Sequence, residues 1–173
     1  MRAYLGKMRG DGKSPPRVGL VELWWSWVGS FIGIAACALL TFHYQAPMLI
    51  GSFGASAVLL YAAIDSPLAQ PRNLVGGHVI SALIGVTCYQ WLGMTWLGAA
   101  LAVSLAIVAM LWTRTLHPPG GATALIAVIT PSLHPLNYLY VVTPAALGAL
   151  IMLLVALLAN NLAQKRKYPR YWL

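Results

Sequence analysis

The chain has 173 residues, of which 60% are hydrophobic and 8% charged, at a mean hydropathy of +0.74. So little polar surface cannot enclose a water-soluble core of this size, and the surrounding solvent is therefore lipid. Eleven basic against three acidic residues give a formal net charge of +8, but the basic residues sit at the chain ends and in short connections, which is the pattern of flanks facing anionic lipid and not of a nucleic-acid binder.

Residues 1–19 read as a basic cytoplasmic tail. The first apolar run is about 20 residues, longer than the apolar part of a signal peptide, and reads as a retained span. Five stretches, 23–42, 47–64, 74–92, 95–113 and 139–162, are each long enough to cross a hydrocarbon core of about 30 Å. Cys37 and Cys88 fall inside such runs and read as packing residues, so no disulfide, metal site or cofactor is expected. Between Gly120 and Pro131 lies a sixth apolar run of 12 residues, which covers only about 18 Å as helix.

Charge placement decides how that short run is used. If it crosses, all the basic residues share one side, from Arg2 and Arg9 through Arg72 and Arg114 to Lys165, Arg166, Lys167 and Arg170, and the connections 43–46, 93–94 and 132–138 carry none. If it re-enters, the last four are stranded on the far side. The positive-inside rule therefore favours six spans with both termini cytoplasmic, and 164–173 as a second basic tail. Thr115 to Pro119 in extended form supply the missing length at about 3.3 Å per residue. Such backbone is tolerated in a membrane only where protein or a water-filled cavity receives its polar groups, which predicts an internal cavity. Pro118 and Pro119 are expected to forbid helix within the break and to remove two donors from it.

An internal echo joins the two halves. Gly54-Ala55-Ser56-Ala57 resembles Gly121-Ala122-Thr123-Ala124, and Pro71-Arg72-Asn73-Leu74 loosely matches Pro135-Leu136-Asn137-Tyr138. A three-span unit repeated in tandem enters the second time from the opposite face. The expected fold is an all-α membrane protein whose six transmembrane segments form two inverted three-span repeats, with broken second and fifth helices.

Each break precedes a helix N-terminus, which carries unpartnered N–H groups and about half a positive elementary charge. Ser52, Gly54 and Ser56 at one end, with His117, Gly120, Gly121, Ala122 and Thr123 at the other, supply hydroxyls, an imidazole and close backbone approach for a small anion. No Asp or Glu lies deep in a span, as a cation site or carboxylate relay would require. Arg114 would draw anions to the cytoplasmic entrance, and His117 could donate to the anion or take up a proton with it. Plainer roles compete: His117 reads equally as the partner of a freed carbonyl, His78 as an interhelical hydrogen bonder, and Arg114 as a topology signal. The Gly29-x-x-x-Gly33 spacing indicates tight helix contact.

The stretch from Leu116 through His117-Pro118-Pro119 to Ala124 resembles the HPP family of integral membrane proteins. Arg114, Gly51-Ser52-Phe53-Gly54-Ala55-Ser56 and Pro71-Arg72-Asn73 are also similar to that family's pattern, and the likeness covers nearly all of 17–163. The resemblance implies a bacterial-type membrane protein, in the inner membrane, with an HPP-like transmembrane domain over 20–163. It further implies nitrite as the substrate, since some relatives carry nitrite in chloroplasts and cyanobacteria. Others carry a C-terminal pair of regulatory domains that this sequence is not expected to have. The expected function is thus transport of a small inorganic anion, nitrite first, with no catalytic residues, the bilayer and the anion as partners, and a homo-oligomer compatible with it. An anion channel or anion-sensing module without active transport is the alternative. A third class is an intramembrane hydrolase using Ser56 with His78 or His117, but the motif lacks its closing glycine and the echoed copy has threonine.

Overall fold

The computed structural model describes residues 4, 7–8, 12–130 and 137–173. Arg2, Arg9, Pro131, His134 and the Pro135-Leu136 half of the second echo lie outside the described residues. Among the described residues the chain is all helical: α1 (Leu20–Phe42), α2 (Ser52–Ala62), a 3-10 turn (Pro67–Ala69), α3 (Pro71–Leu92), α4 (Trp96–Trp112), α5 (Pro118–Ile129), and a π-helical stretch (Val141–Ala146) running into α6 (Leu147–Leu162). Three helical stretches are long and apolar enough to cross a membrane, namely α1, α3 and Val141–Leu162. The other three, α2, α4 and α5, are shorter apolar helices of 11, 17 and 12 residues.

The outward faces are apolar and large. Leu20, Trp24, Phe31 and Leu39 on α1, Trp91, Trp96 and Trp112 at the ends of α3 and α4, and Leu150, Leu154 and Leu158 on α6 are all exposed. An apolar exterior of this extent requires a lipid solvent. The interior is built instead from small residues, since lipid leaves close packing as the main force between helices. Ala82, Ala102, Ala106, Ala124, Ala127, Ala149 and Ala156 are fully buried. At Gly85 of α3, a Cβ would fall 2.6 Å from the Ala124 carbonyl oxygen of α5, so these two helices touch backbone to backbone.

The Gly29-x-x-x-Gly33 stripe receives the ring of Tyr61, whose hydroxyl donates to the Met152 carbonyl at 3.0 Å and so ties α1, α2 and α6 together. The last span is interrupted as well: Thr143 is extended (φ −132°, ψ 116°) beside Pro144, which cannot supply a helical N–H. Pro144 was the available signal in the sequence, and the expected pattern of breaks did not include it.

Residues 164–173 fold back onto the connection between α2 and α3. Arg166, with its side chain 3% exposed, meets Glu22 in an ion pair at 2.8 Å and also donates to the Tyr61 carbonyl, the Glu22 carbonyl, Ser26 and Asn160 Oδ1. The Tyr168 hydroxyl donates to the Ala69 carbonyl at 2.7 Å, and burial pushes its phenol up, so it stays a donor. Arg170 pairs with Asp65 at 2.5 Å, where both side chains are largely exposed.

Exposed pairs are worth at most about 1 kcal/mol, whereas breaking a buried multi-bonded charge costs about 3–5 kcal/mol, less here because Glu22 is partly solvated. Arg166→Ala is therefore expected to lower the melting temperature of the detergent-solubilised protein by several degrees more than Arg170→Ala. Equal shifts would show that the buried guanidinium holds nothing together.

Candidate functional site

The site begins where α4 stops. Arg114 adopts φ 57° and ends the helix in the left-handed region, and Thr115 to His117 continue as non-helical chain, extended at His117. The carbonyls freed there are received by two side chains of the first turn of α3. Arg72 Nη2 donates to Thr113 O at 2.8 Å, and Asn73 Nδ2 donates to Leu116 O at 2.9 Å. Protein therefore receives these groups, where the sequence predicted a cavity. Asn73 Oδ1 is the one buried side-chain polar atom without a partner among the described residues.

Pro118 and Pro119 do not lie in the break. They are the first two residues of α5, with His117 as N-cap at φ −138°, ψ 103°. Proline is favoured there because its fixed φ suits the helix and its missing N–H would have had no partner. The same fact alters the expected anion site. Two of the backbone donors of the α5 terminus do not exist, and Gly120 N–H already donates to His117 O at 2.8 Å. At α2, Phe53 N–H donates to Ile50 O and Gly54 N–H to Gly51 O. What the helix ends still offer is chiefly their dipoles.

Side chains fill the place the backbone leaves. Ser52 and Ser56 stand one turn apart on α2, His78 lies on α3, and His117 and Thr123 come from α5. All five are 1% exposed or less. Ser56 Oγ lies 2.8 Å from His78 Nε2 and 2.9 Å from His117 Nε2. His78 Nδ1 is 2.7 Å from Thr123 Oγ1, which is 2.8 Å from Ser52 Oγ and 3.3 Å from Pro119 O. His117 Nδ1 ends the file at the Leu68 carbonyl, 2.8 Å away, and the two rings meet edge-on with centroids 5.0 Å apart. The Tyr140 hydroxyl donates to the Thr123 carbonyl at 3.1 Å.

Of the expected residues, the structure brings together Ser52, Ser56, His117 and Thr123. Gly120 packs tightly beside them, where a Cβ would fall 2.7 Å from Ser81 Oγ and 2.9 Å from Gly77 O. Gly54 is exposed with open space beside it, Gly121 and Ala122 are half-buried, Gly121 faces Val103, and Arg114 is exposed. The sequence gives His78 the role of an interhelical hydrogen bonder; the structure shows those bonds, to Ser56 of α2 and Thr123 of α5, and makes it the hub of the cluster. The available signal was Gly76-Gly77-His78. A Cβ on Gly77 would fall 2.5 Å from His117 Cβ, so this glycine lets the two histidine-bearing segments approach.

Fold and site together define a helical membrane protein with a buried histidine and hydroxyl cluster where two short helices meet a longer one. The chain belongs to the HPP family: the model for the HPP transmembrane region matches residues 15–169. Two Dictyostelium discoideum proteins, each described as a transmembrane protein, are similar to it. One is 50% identical over 98% of this chain and 57% of its own length, the other 47% identical over 98% and 63%. The chain thus spans about three-fifths of the curated relatives it matches. No solved structure matches it.

The glycines of the site separate into two kinds. Gly120→Ala is expected to lower thermal stability by about 1–3 kcal/mol through overpacking, while Gly54→Ala and Gly121→Ala leave it unchanged or slightly raised through helix propensity. Melting curves of the three purified variants check this, and equal losses at Gly54 and Gly120 would contradict the packing described.

Proposed function

We propose that the protein is a transporter of a small inorganic anion, with nitrite as the leading candidate, and that it is not an enzyme. The observation that carries this reading is the buried Ser52–Thr123–His78–Ser56–His117 cluster, which gathers hydroxyl and imidazole groups with no carboxylate among its partners in the described residues. Groups that can turn a donor toward a ligand, at the positive ends of α2 and α5, favour negative charge. The donors are side chains in this version of the site, and the backbone N–H groups play a smaller part than the sequence suggested. Nitrite rests on the family resemblance.

The topology proposed with it is six spans in two inverted three-span repeats, both termini cytoplasmic, in a bacterial-type plasma membrane. The echo of Ser56 and Thr123 supports the repeat. These residues hold corresponding places in α2 and α5, and their hydroxyls engage the two nitrogens of the same ring, His78 Nε2 and Nδ1. Both helices are also short and follow non-helical chain, as the broken elements of inverted-repeat transporters do.

A hydrolase reading gains one observation, because His117 is within reach of Ser56 and is oriented by a carbonyl as a general base would be. Against it, Ser56 is fully buried and is held on its other side by His78. No labelling of Ser56 by a fluorophosphonate probe is expected; stoichiometric labelling would favour hydrolysis.

The deciding experiment is uptake of nitrite and of formate by proteoliposomes containing the full chain. Saturable nitrite uptake is expected, reduced at least ~10-fold in His117→Ala. Accumulation against a gradient separates a coupled transporter from a channel or sensor, and the absence of saturable uptake under any gradient would sink the proposal.

A further inference from the structure

The hydrogen-bond file has a direction, and one atom sets it. The Leu68 carbonyl can only accept, so His117 carries its proton on Nδ1 and, when neutral, offers a lone pair at Nε2. Ser56 must then donate to His117, which makes His78 Nε2 the donor to Ser56 and leaves His78 Nδ1 to accept from Thr123. With both rings neutral this is the single arrangement that satisfies all four ring nitrogens, and it leaves unmade the bond that Thr123 donates to Ser52 or Pro119 O.

A second arrangement exists with one more proton. Thr123 turns its hydroxyl to Ser52 or Pro119 O, and the added proton sits on His78 Nδ1. His78 Nε2 then passes its proton to Ser56 as Ser56 passes its own to His117 Nε2. No atom moves except protons, and the positive charge travels from one ring to the other across the serine. We propose that this file is a proton relay, loaded with one proton at His78 Nδ1 from the water at one face and unloaded from the same nitrogen by the reverse shift at the other, and that the anion crosses with that proton as a symporter's cargo. The proposal rests on the transporter reading above.

Two features make the coupling follow. The rings are 5.0 Å apart, so like-charge repulsion limits the pair to one proton. A buried imidazolium without a counter-charge is costly, and no other charged group bonds to either ring among the described residues. Arg72 of α3 is turned to Thr113 O, Arg114 at the end of α4 is exposed, Asp65 is paired with Arg170, and Tyr61 and Tyr140 donate to backbone carbonyls. An anion beside the cluster supplies the missing charge, so anion and proton each favour the binding of the other by the same factor.

The test uses full-length protein in vesicles holding a pH indicator, with the membrane potential clamped and protein-free vesicles correcting for passive permeation of nitrous acid. Expected are one proton entering per nitrite, uptake insensitive to potential, and an apparent nitrite affinity that tightens about tenfold per pH unit of acidification. Nitrite uptake that follows the potential without internal acidification overturns the relay and leaves the transporter standing. A second arm needs no flux: nitrogen-15 spectra of histidine-labelled protein in bilayers should show neutral His117 protonated at Nδ1 and neutral His78 at Nε2, sharing one titration that Ser56→Ala splits into two. The opposite tautomers, or independent titration in the wild type, overturn the relay. If no nitrite flux is seen at all, the transporter reading falls and symport with it, while the spectra alone decide whether the file relays protons.

Discussion

Between Thr113 and His117 the chain leaves helical geometry inside a protein whose outer faces require lipid, and each polar group exposed there without a partner would cost several kcal/mol, on the order of a large part of a domain's stability. The first turn of α3 meets that cost with the guanidinium of Arg72 and the amide of Asn73 on the freed carbonyls. Much else follows from this constraint. The two prolines must open α5, because they are the residues that lose nothing by having no N–H at its start. His117, as N-cap, is left with its side chain as its main polar resource, and that side chain is aimed between Leu68 O and Ser56.

A similar economy governs the neighbouring connection between α2 and α3, at the same end of the bundle. The carbonyl of Tyr61, next to last in α2, is met by Arg166, which comes from beyond α6. The C-terminal segment thus serves as the cap of a helix far away in sequence, and Gln70 extends the same service to Ile64 and Ser66 through its amide. Both short connections that would otherwise expose backbone are covered by side chains, and apart from Gln70 these come from distant parts of the chain.

How much of this could be read from the sequence depended on whether the signal was local. Apolar runs bounded by Trp and Gly marked the helices, and the HPP tripeptide with its flanking glycines marked the break before α5. Ser52, Ser56, His117 and Thr123 were identified because hydroxyls and an imidazole stand out beside glycine in an apolar stretch. His78 was legible as an interhelical hydrogen bonder but its partners were not, because a histidine inside a long apolar helix does not say what it meets; only the fold puts Ser56 on one of its nitrogens and Thr123 on the other. The interruption at Thr143 and the return of Arg166 were missed for related reasons, since a lone Pro144 does not say where a span breaks and a basic tail does not say what it binds. The helix-terminus argument failed in detail at α5 because the prolines that announce the terminus also remove its donors.

Gly85 and Ala124 touch at the backbone, and Gly77 lets His117 lie against α3, so α3 and α5 have little freedom to part. Ser52 and Ser56 belong to α2, and Leu68 to the turn that follows it. Of the bonds in the file, the one from His78 to Thr123 stays within the α3–α5 pair, while those through Ser56, Ser52 and the Leu68 carbonyl cross to the other side. Any rocking of α2 against α3 and α5 would therefore open the circuit at every crossing contact at once. On the proposed relay the seam between the two bodies is an interlock, because the two rings can share a proton through Ser56 only while the halves are closed on each other.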